Sequence, residues 1–560
     1  MECLLEQGVD TIFGYPGGAI IVIYDELYRY RGKIRHILTS HEQGASHAAD
    51  GYARSTGRVG VCFATSGPGA TNLITGIATA YLDSSPVVFI TCNVAEPLIG
   101  KDSFQEVDVI GISMPITKSN FLVKSADRLA DTLREAFAVA RSGRPGPVLV
   151  DILKNATTGK AEYEPLPLEK HVTHGSLAAL IHRASHDFKA PEPNSADLDK
   201  LGELIQEAKR PMLICGGGVV LSRAHEVFTA FAEKLDAPTA YTVMGCGGIP
   251  GRHPLATGMI GMHGSLASNI ACANCDLLIA VGCRFTDRVA LNTSSFARQA
   301  KVVQIDIDRS EIDKNVLTDH HIIGDAGSVL KRMLKRVKQH DHSAWKAKIF
   351  AYPTQPQYSS GGDTLNPKQI CDAVSRLAPA DTIITTDVGQ HQMWCIQNFK
   401  FDSPGQLLTS GGFGTMGFGL GAAIGAKLGN PGRTVIHMTG DGSFRMNCNE
   451  LATEEYYHLP IITIIFKNNT LGMVRQLQRL TLGKRYSQTS LAGRGPDFVK
   501  LAAAYGLGGC RVKTAEELEH ALQTALDCGH GYVIECAIDI NAMVHPMVKG
   551  GCPIDQFVMD

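Results

Sequence analysis

Between residues 440 and 469 the chain reads GDGSFRMNCNELATEEYYHLPIITIIFKNN. Asp441 follows the apolar run TVIHMT, and about 25 residues later a second run, IITIIF, leads into Asn468 and Asn469. Adjacent parallel strands joined by one helix bring such residues together at their carboxyl ends, where open α/β sheets bind ligands. A carboxylate, an amide oxygen and a nearby backbone carbonyl are the hard oxygen set that Mg²⁺ takes, with phosphate and water completing the octahedron. The glycines beside Asp441 let the backbone approach a diphosphate. GDG alone also marks ordinary turns. GDG and NN at this spacing, each closing a strand, point to a metal–diphosphate site.

Outward from this segment the same strand–helix alternation recurs. DTIITTDVG and GYVIECAIDI flank it in one block. PMLICGGG, DLLIAVG (276–282) and KVVQIDID (301–308) mark a middle block, entered by the helical LDKLGELIQEAKR and closed by the basic amphipathic GSVLKRMLKRVKQH. VGVCFAT (59–65), PVVFIT (86–91) and PVLVDI (147–152) mark the first. Continuous β-branched runs are what a parallel sheet covered on both faces requires. The reading is α/β, with three doubly wound parallel-sheet domains at 1–160, 195–340 and 365–540 and a closing segment at 541–560. A polar stretch at 155–198 and a second at 351–367 read as linkers, although SLAALIHRASHDF within the first has helical pattern.

A chain of 560 residues suits about three domains. The 53 basic and 55 acidic residues balance, which argues against a nucleic-acid partner. Fifteen scattered cysteines suit reduced thiols in a cytoplasm. The Cys272–Cys275 pair has no second pair to complete a zinc site. MECLLEQGVDTIFGYPGG does not read as a signal peptide, and no uncharged apolar run reaches the ~20 residues that span a bilayer. The expectation is a cytoplasmic protein without membrane contact.

GDG…NN resembles the binding motif of thiamine-diphosphate-dependent enzymes. In them a glutamate of one subunit reaches the cofactor held by another. Glu42, in TSHEQGASHAADGYAR (39–54), resembles that glutamate, although on local pattern it is an ordinary helix-start carboxylate. The likeness narrows to the acetohydroxyacid synthase (acetolactate synthase) family and covers nearly the whole chain. It is carried by FGYPGGAI (13–20), TSGPGATN (65–72), FQE (104–106), GMHG (261–264), RFTDRV (284–289), QIDID (304–308), GQHQMW (389–394), GGFGTMGFG (411–419), LGMV (471–474) and RYSQTS (485–490).

The resemblance implies a role for each matching residue. Asp441, Asn468 and the backbone of Thr470 hold Mg²⁺. Gln390, His391, Gly414, Thr415, Gly440, Gly442, Ser443 and Met473 surround thiamine diphosphate, and Met416 props it in a bent form. Glu42, Gln105, Lys154 and Met416 are the implied catalytic set. Gly17, Gly18, Phe104 and Gln105 line the substrate approach. In the middle domain Gly216, Gly217, Gly218, Thr242, Val243, Met244, Met262, His263, Gly282, Arg284, Asp287, Asp306, Ile307 and Asp325 resemble FAD-binding elements. Arg288 resembles the arginine that meets the carboxylate of the second 2-oxoacid, besides lying beside the flavin.

The implied reaction is decarboxylating condensation of pyruvate with pyruvate or 2-oxobutyrate. It gives 2-acetolactate or 2-aceto-2-hydroxybutyrate for branched-chain amino-acid synthesis. The implied assembly is a homodimer or tetramer with active sites between subunits, and a regulatory small subunit is left open. The alternatives are an FAD-independent catabolic acetolactate synthase, or another thiamine-diphosphate carboligase or decarboxylase. The chain departs from the family at Leu477, where tryptophan is usual, at Thr286 and Gly421, and in HPMVKGG near its end.

Overall fold

In a computed structural model of the chain, residues 1–166, 190–356 and 364–558 are described. SLAALIHRASHDF, expected as a helix, lies outside them, as do residues 357–363 of the second expected linker. Three six-stranded parallel sheets follow one another. The first holds β1 (Thr11–Gly14), β2 (Arg35–Leu38), β3 (Gly60–Ala64), β4 (Val87–Asn93), β5 (Ser119–Val123) and β6 (Val148–Leu153), in the order β2-β1-β3-β4-β6-β5. The second holds β7 (Pro211–Cys215), β8 (Thr239–Tyr241), β9 (Ala256–Met259), β10 (Leu277–Val281), β11 (Lys301–Asp306) and β12 (His320–Ile323), in the order β12-β11-β10-β7-β8-β9. The third holds β13 (Ile383–Thr386), β14 (Leu407–Thr409), β15 (Val435–Gly440), β16 (Ile461–Lys467), β17 (Gly508–Val512) and β18 (Tyr532–Ala537), in the order β14-β13-β15-β16-β18-β17.

Counted from its own first strand, the third sheet repeats the order of the first, so the two units share a topology without sharing a visible sequence repeat. The middle sheet differs. Counted the same way, its order is 3-2-1-4-5-6, that of dinucleotide-binding folds, with the reversal between β7 and β10.

The runs that read clearly as strands are the interior ones. β3, β4, β6, β7 and β10 are buried along their whole length, covered by helices on both faces. Edge strands such as β2 and β5 bury one residue each and carry no such signature.

Helix Glu42–Thr56 of the first unit lies along helix Phe418–Gly429 of the third. Gly51 and Gly425 permit the approach, because a side chain on either would overlap the backbone of Ala422 or Ala48. The segment after residue 540 crosses from the third unit to the second. There Val548 N donates to Met262 O (2.8 Å) and Asn269 Nδ2 to Ile554 O (3.0 Å). Among the described residues no helix is long and apolar enough to cross a membrane.

His47 is fully buried in the seam between those two helices, its ring edge-on to Phe418. Burial lowers its pKa to about 4, from 6.5. The unfolded chain therefore binds the extra proton between those values, and the folded state loses stability as pH falls from 6.5 toward 4. For one such group the loss is roughly 2 kcal/mol by pH 5. Several buried carboxyls shift the opposite way, so the test is a difference. The fall in calorimetric Tm from pH 7 to pH 5 should be smaller in His47→Gln than in the parent. Equal slopes would mean His47 is not buried neutral.

Candidate active site

The carboxyl ends of β15 and β16 define the main cleft of the third unit. The two strands pair in register, with Gly440 opposite Phe466. Asp441 starts the helix Asp441–Asn447, and its Oδ2 accepts from Asn469 N at 2.7 Å. Thr470 N donates to Asn468 Oδ1 (3.2 Å), so the two asparagines, Thr470 and Asp441 form one knot around a turn in which Asn469 has φ +55°. Asp441 is only 4% exposed. Burial pushes its carboxyl up to about 6, outweighing the hydrogen bond from Asn469 N and the charge of Lys467. Asp441, Asn468 and Thr470 line one cleft, and a carboxylate, an amide oxygen and a backbone carbonyl are oxygen donors of the kind Mg²⁺ takes.

The cleft has a volume of about 80 Å³ and is lined by Gln390, His391, Met416, Gly440, Gly442, Ser443, Asn468, Thr470 and Met473, among others. His391 is buried, which lowers its pKa to about 4, and its Nε2 has no hydrogen-bond partner among the described residues. That neutral, unsatisfied nitrogen beside Asp441 marks a place for a polar ligand. Met416 enters from the loop Ser410–Gly417. Ser410 Oγ takes the N–H groups of Gly414 and Thr415 (3.1 and 3.0 Å), and Ser443 Oγ takes that of Gly417 (3.0 Å). Trp394 also lines the cleft.

Nothing in the sequence singles out Gln476. Its side chain accepts from Gln390 Nε2 (2.8 Å) and from Val544 N (2.9 Å), and its Nε2 donates to Val544 O (3.1 Å). The amide of Gln390 is thereby fixed to the segment that crosses to the middle unit.

Glu42 lies elsewhere, at the carboxyl ends of β1, β2 and β3. It opens its helix but does not cap it, since His41 does so by accepting from Gln43 N at 3.1 Å. Glu42 is thus the acidic residue of the first turn, where the helix dipole favours it, and not the cap. Glu42 Oε2 accepts from Asn72 Nδ2 (2.9 Å), and Gly69 leaves room beside Oε1. The loops carrying Gly17, Gly18, Gly67 and Gln105 gather here: Ala19 N donates to Thr65 Oγ1 (3.3 Å), and the Gln105 backbone, at φ +60°, packs on Gly67. Phe104 is 88% exposed. Lys154 is exposed at the end of β6, and among the described residues its ammonium group makes no hydrogen bond or ion pair with Glu42 or Gln105. Among the described residues none of the first unit lines the cleft at Asp441.

In the middle unit Gly216 and Gly218 pack directly against Gly282 at the strand-order reversal, where Gly216 N donates to Val281 O (2.8 Å). Thr242 caps the turn Val243–Gly245, placing Met244 against Gly217. Asp306, at the end of β11, is buried, and that burial pushes its carboxyl up to about 6. Ile307 follows it in the chain. Asp325 caps the helix Ala326–Leu334 through Ser328 N (2.9 Å). Arg284 donates to Leu82 O (2.8 Å). Burial lowers the pKa of His263 to about 4, and its Nδ1 has no partner among the described residues. Arg288 and Asp287 are exposed and pair with each other at 3.4 Å; Met262 N donates to Arg288 O (2.9 Å). Leu477 is 41% exposed, on the helix Gly472–Thr481 that carries Met473.

Three six-stranded parallel units, with a cleft at the strand ends of the third, are the architecture of a thiamine diphosphate enzyme. Residues 1–112 match the N-terminal TPP binding domain of the thiamine pyrophosphate enzymes, 198–333 their central domain and 387–536 their C-terminal TPP binding domain. Within that class the chain belongs to the acetolactate synthase large-subunit family. It is 44% identical to the probable acetolactate synthase large subunit of Methanocaldococcus jannaschii, over 100% of this chain and 94% of that protein. It is 43% identical to the acetolactate synthase isozyme 2 large subunit of Escherichia coli K12, over 98% and 97%. To the acetolactate synthase large subunit of Parasynechococcus marenigrum it is 43% identical, over 100% and 90%.

Proposed function

We propose that the chain is the catalytic subunit of a biosynthetic acetolactate synthase, condensing pyruvate with a second 2-oxoacid and releasing CO₂. The knot at Asp441 carries the reading: a buried carboxylate beside Asn468, at the carboxyl ends of two parallel strands. Asp441, Asn468 and the Thr470 carbonyl would hold Mg²⁺, and Gly440, Gly442, Ser443 and Gln390 would surround the diphosphate. Bound thiamine diphosphate supplies a nucleophilic carbon that takes an acyl unit from one 2-oxoacid and yields it to another. Glu42 would hold a proton at the aminopyrimidine, in a pocket that Asn72 and Gly69 keep fixed. Met416 props the cofactor, while Gln105, Phe104 and Lys154 face the approach. Arg288 offers a guanidinium fork to the acceptor carboxylate.

Glu42 and the Asp441 cleft each present half a site. A second copy of the chain would bring one to the other, which makes a homodimer the smallest active form. The relatives are named large subunits, which favours a separate small regulatory subunit.

The middle unit would hold FAD. The dinucleotide strand order supports this, with Gly216–Gly218 and Gly282 at the reversal and the buried carboxylate of Asp306 at the next strand end. These features favour the flavin-containing synthase over the flavin-free catabolic one. The deciding experiment supplies thiamine diphosphate, Mg²⁺ and pyruvate to protein stripped of flavin, with FAD restored or withheld. Acetolactate formation that needs FAD without net flavin reduction is expected. Formation indifferent to FAD would move the reading to the catabolic type.

Leu477 bears on the acceptor. A half-exposed leucine offers less apolar area than an indole, and one methylene is worth about 1–3 kcal/mol in discrimination. The parent should show weak preference for 2-oxobutyrate over pyruvate, and Leu477→Trp should raise it about tenfold in direct competition. A strong preference already present in the parent would show that other residues shape the pocket. Sulfonylurea-type inhibitors should bind weakly for the same reason.

A further inference from the structure

The loop Ser410–Gly417, which carries Met416 into the cleft, contains glycines at 411, 412, 414 and 417. So much backbone freedom cannot aim a side chain by itself. Ser410 and Ser443 hold the stretch from Gly414 to Gly417 from within the third unit, and the start of the loop is held by the first unit of the same chain. Asp83, 5% exposed, accepts from Gly411 N through Oδ2 (3.1 Å) and from Gly412 N through Oδ1 (2.6 Å). Arg54 stands behind it. That buried guanidinium bonds Asp83 Oδ2 (3.1 Å), pairs with Asp50, and donates to Thr409 O (2.8 Å) just ahead of the loop. A second tether joins Thr79 Oγ1 to Thr415 Oγ1 at 2.7 Å, fully buried. The neighbouring turn also meets the middle unit, since Leu82 O accepts from Arg284 (2.8 Å).

We infer that Asp83, backed by Arg54, is a positioning residue that aims Met416 at the cofactor. A carboxylate taking two backbone N–H groups is a strong, charge-assisted clamp, and Arg54 supplies the countercharge that makes its burial tolerable. The inference rests on the thiamine-diphosphate reading of the cleft. Under that reading each first unit serves two sites: Glu42 acts in a partner's cleft, and Asp83 shapes the cleft of its own chain.

The test uses full-length protein with Mg²⁺, titrated with thiamine diphosphate while tryptophan fluorescence is read. Trp394 lines the cleft, whereas Trp345 packs in the middle unit and gives a constant background. Asp83→Asn should weaken thiamine diphosphate binding about tenfold or more while leaving far-UV circular dichroism unchanged. Combined with Met416→Ala, it should add nothing, because both remove the same restraint. Parental affinity in Asp83→Asn, or additive losses in the double variant, overturns the role. Should Asp83→Asn fail to fold, Thr79→Val breaks the other tether isosterically, and the same non-additivity with Met416→Ala is required of it. Absence of any fluorescence response in the parent removes the thiamine-diphosphate reading itself, and the positioning role with it.

Discussion

Glu42→Gln should fold, assemble and bind thiamine diphosphate like the parent, yet make acetolactate about 10²–10⁴ times more slowly. The amide keeps the size of the carboxyl group and can still meet Asn72, so the pocket survives. It loses only the ability to take and return a proton, which is the step assigned to Glu42. Stability should barely change. His41 already caps the helix, and a carboxylate in the first turn is worth about 0.3–1 kcal/mol. The measurement is kcat beside the thiamine diphosphate dissociation constant. A fall in kcat with an unchanged dissociation constant supports the proton role. Activity within tenfold of the parent would reduce Glu42 to a buried polar residue at a helix start.

The second copy gives this prediction a further edge. If Glu42 acts in a neighbour's cleft, two inactive variants should rescue each other. Mixing Glu42→Gln with a variant damaged only at Asp441 would form heterodimers in which one of the two clefts pairs an intact Glu42 with an intact Asp441. Recovered activity on subunit exchange separates an intersubunit site from one closed within a single chain.

The interior strands were legible because burial on both faces demands unbroken apolar runs, as in IITIIF and LLIAV. Edge strands such as SNFLV at 119–123 have one open side and a mixed composition. Asp441 and Asn468 could be paired from sequence because a single helix separates their strands. Asp83 and Gly411 could not. More than 300 residues part them, and neither sits in a periodic pattern that foretells contact. Gln476 is hidden similarly, as one polar residue on an amphipathic helix whose partners come from residues 390 and 544. Glu42 shows both limits. The sequence marks it through resemblance, but only the geometry shows that His41 has taken the capping role.

Asp441→Asn should do two opposite things. In the cation-free protein the carboxyl is buried and accepts a hydrogen bond from Asn469 N (2.7 Å). Its pKa stands at about 6, against 3.8 ordinarily, with burial the largest cause. Because the unfolded chain releases this proton near 3.8 and the folded chain near 6, cation-free stability falls as pH rises across that window. At pH 7 the ionised group costs the empty fold up to about 3 kcal/mol. A neutral amide of the same shape removes that cost, so the cation-free variant should melt higher than the parent at pH 7. Function should move the other way. An amide oxygen carries no full charge to offset Mg²⁺, and outer-sphere changes alone cost about 10–100-fold at metal sites, so Mg²⁺-dependent cofactor affinity should drop by more than about 100-fold. Thr470→Val provides the contrast: its carbonyl, the atom assigned to Mg²⁺, is untouched, while the bond from Thr470 Oγ1 to Thr489 O (2.9 Å) is lost. That variant should lose stability and keep cofactor affinity within a few-fold. Calorimetry and cofactor titration on the two variants must therefore disagree in sign. Agreement, with both variants destabilised and both still binding, would make Asp441 a structural residue and move the metal elsewhere.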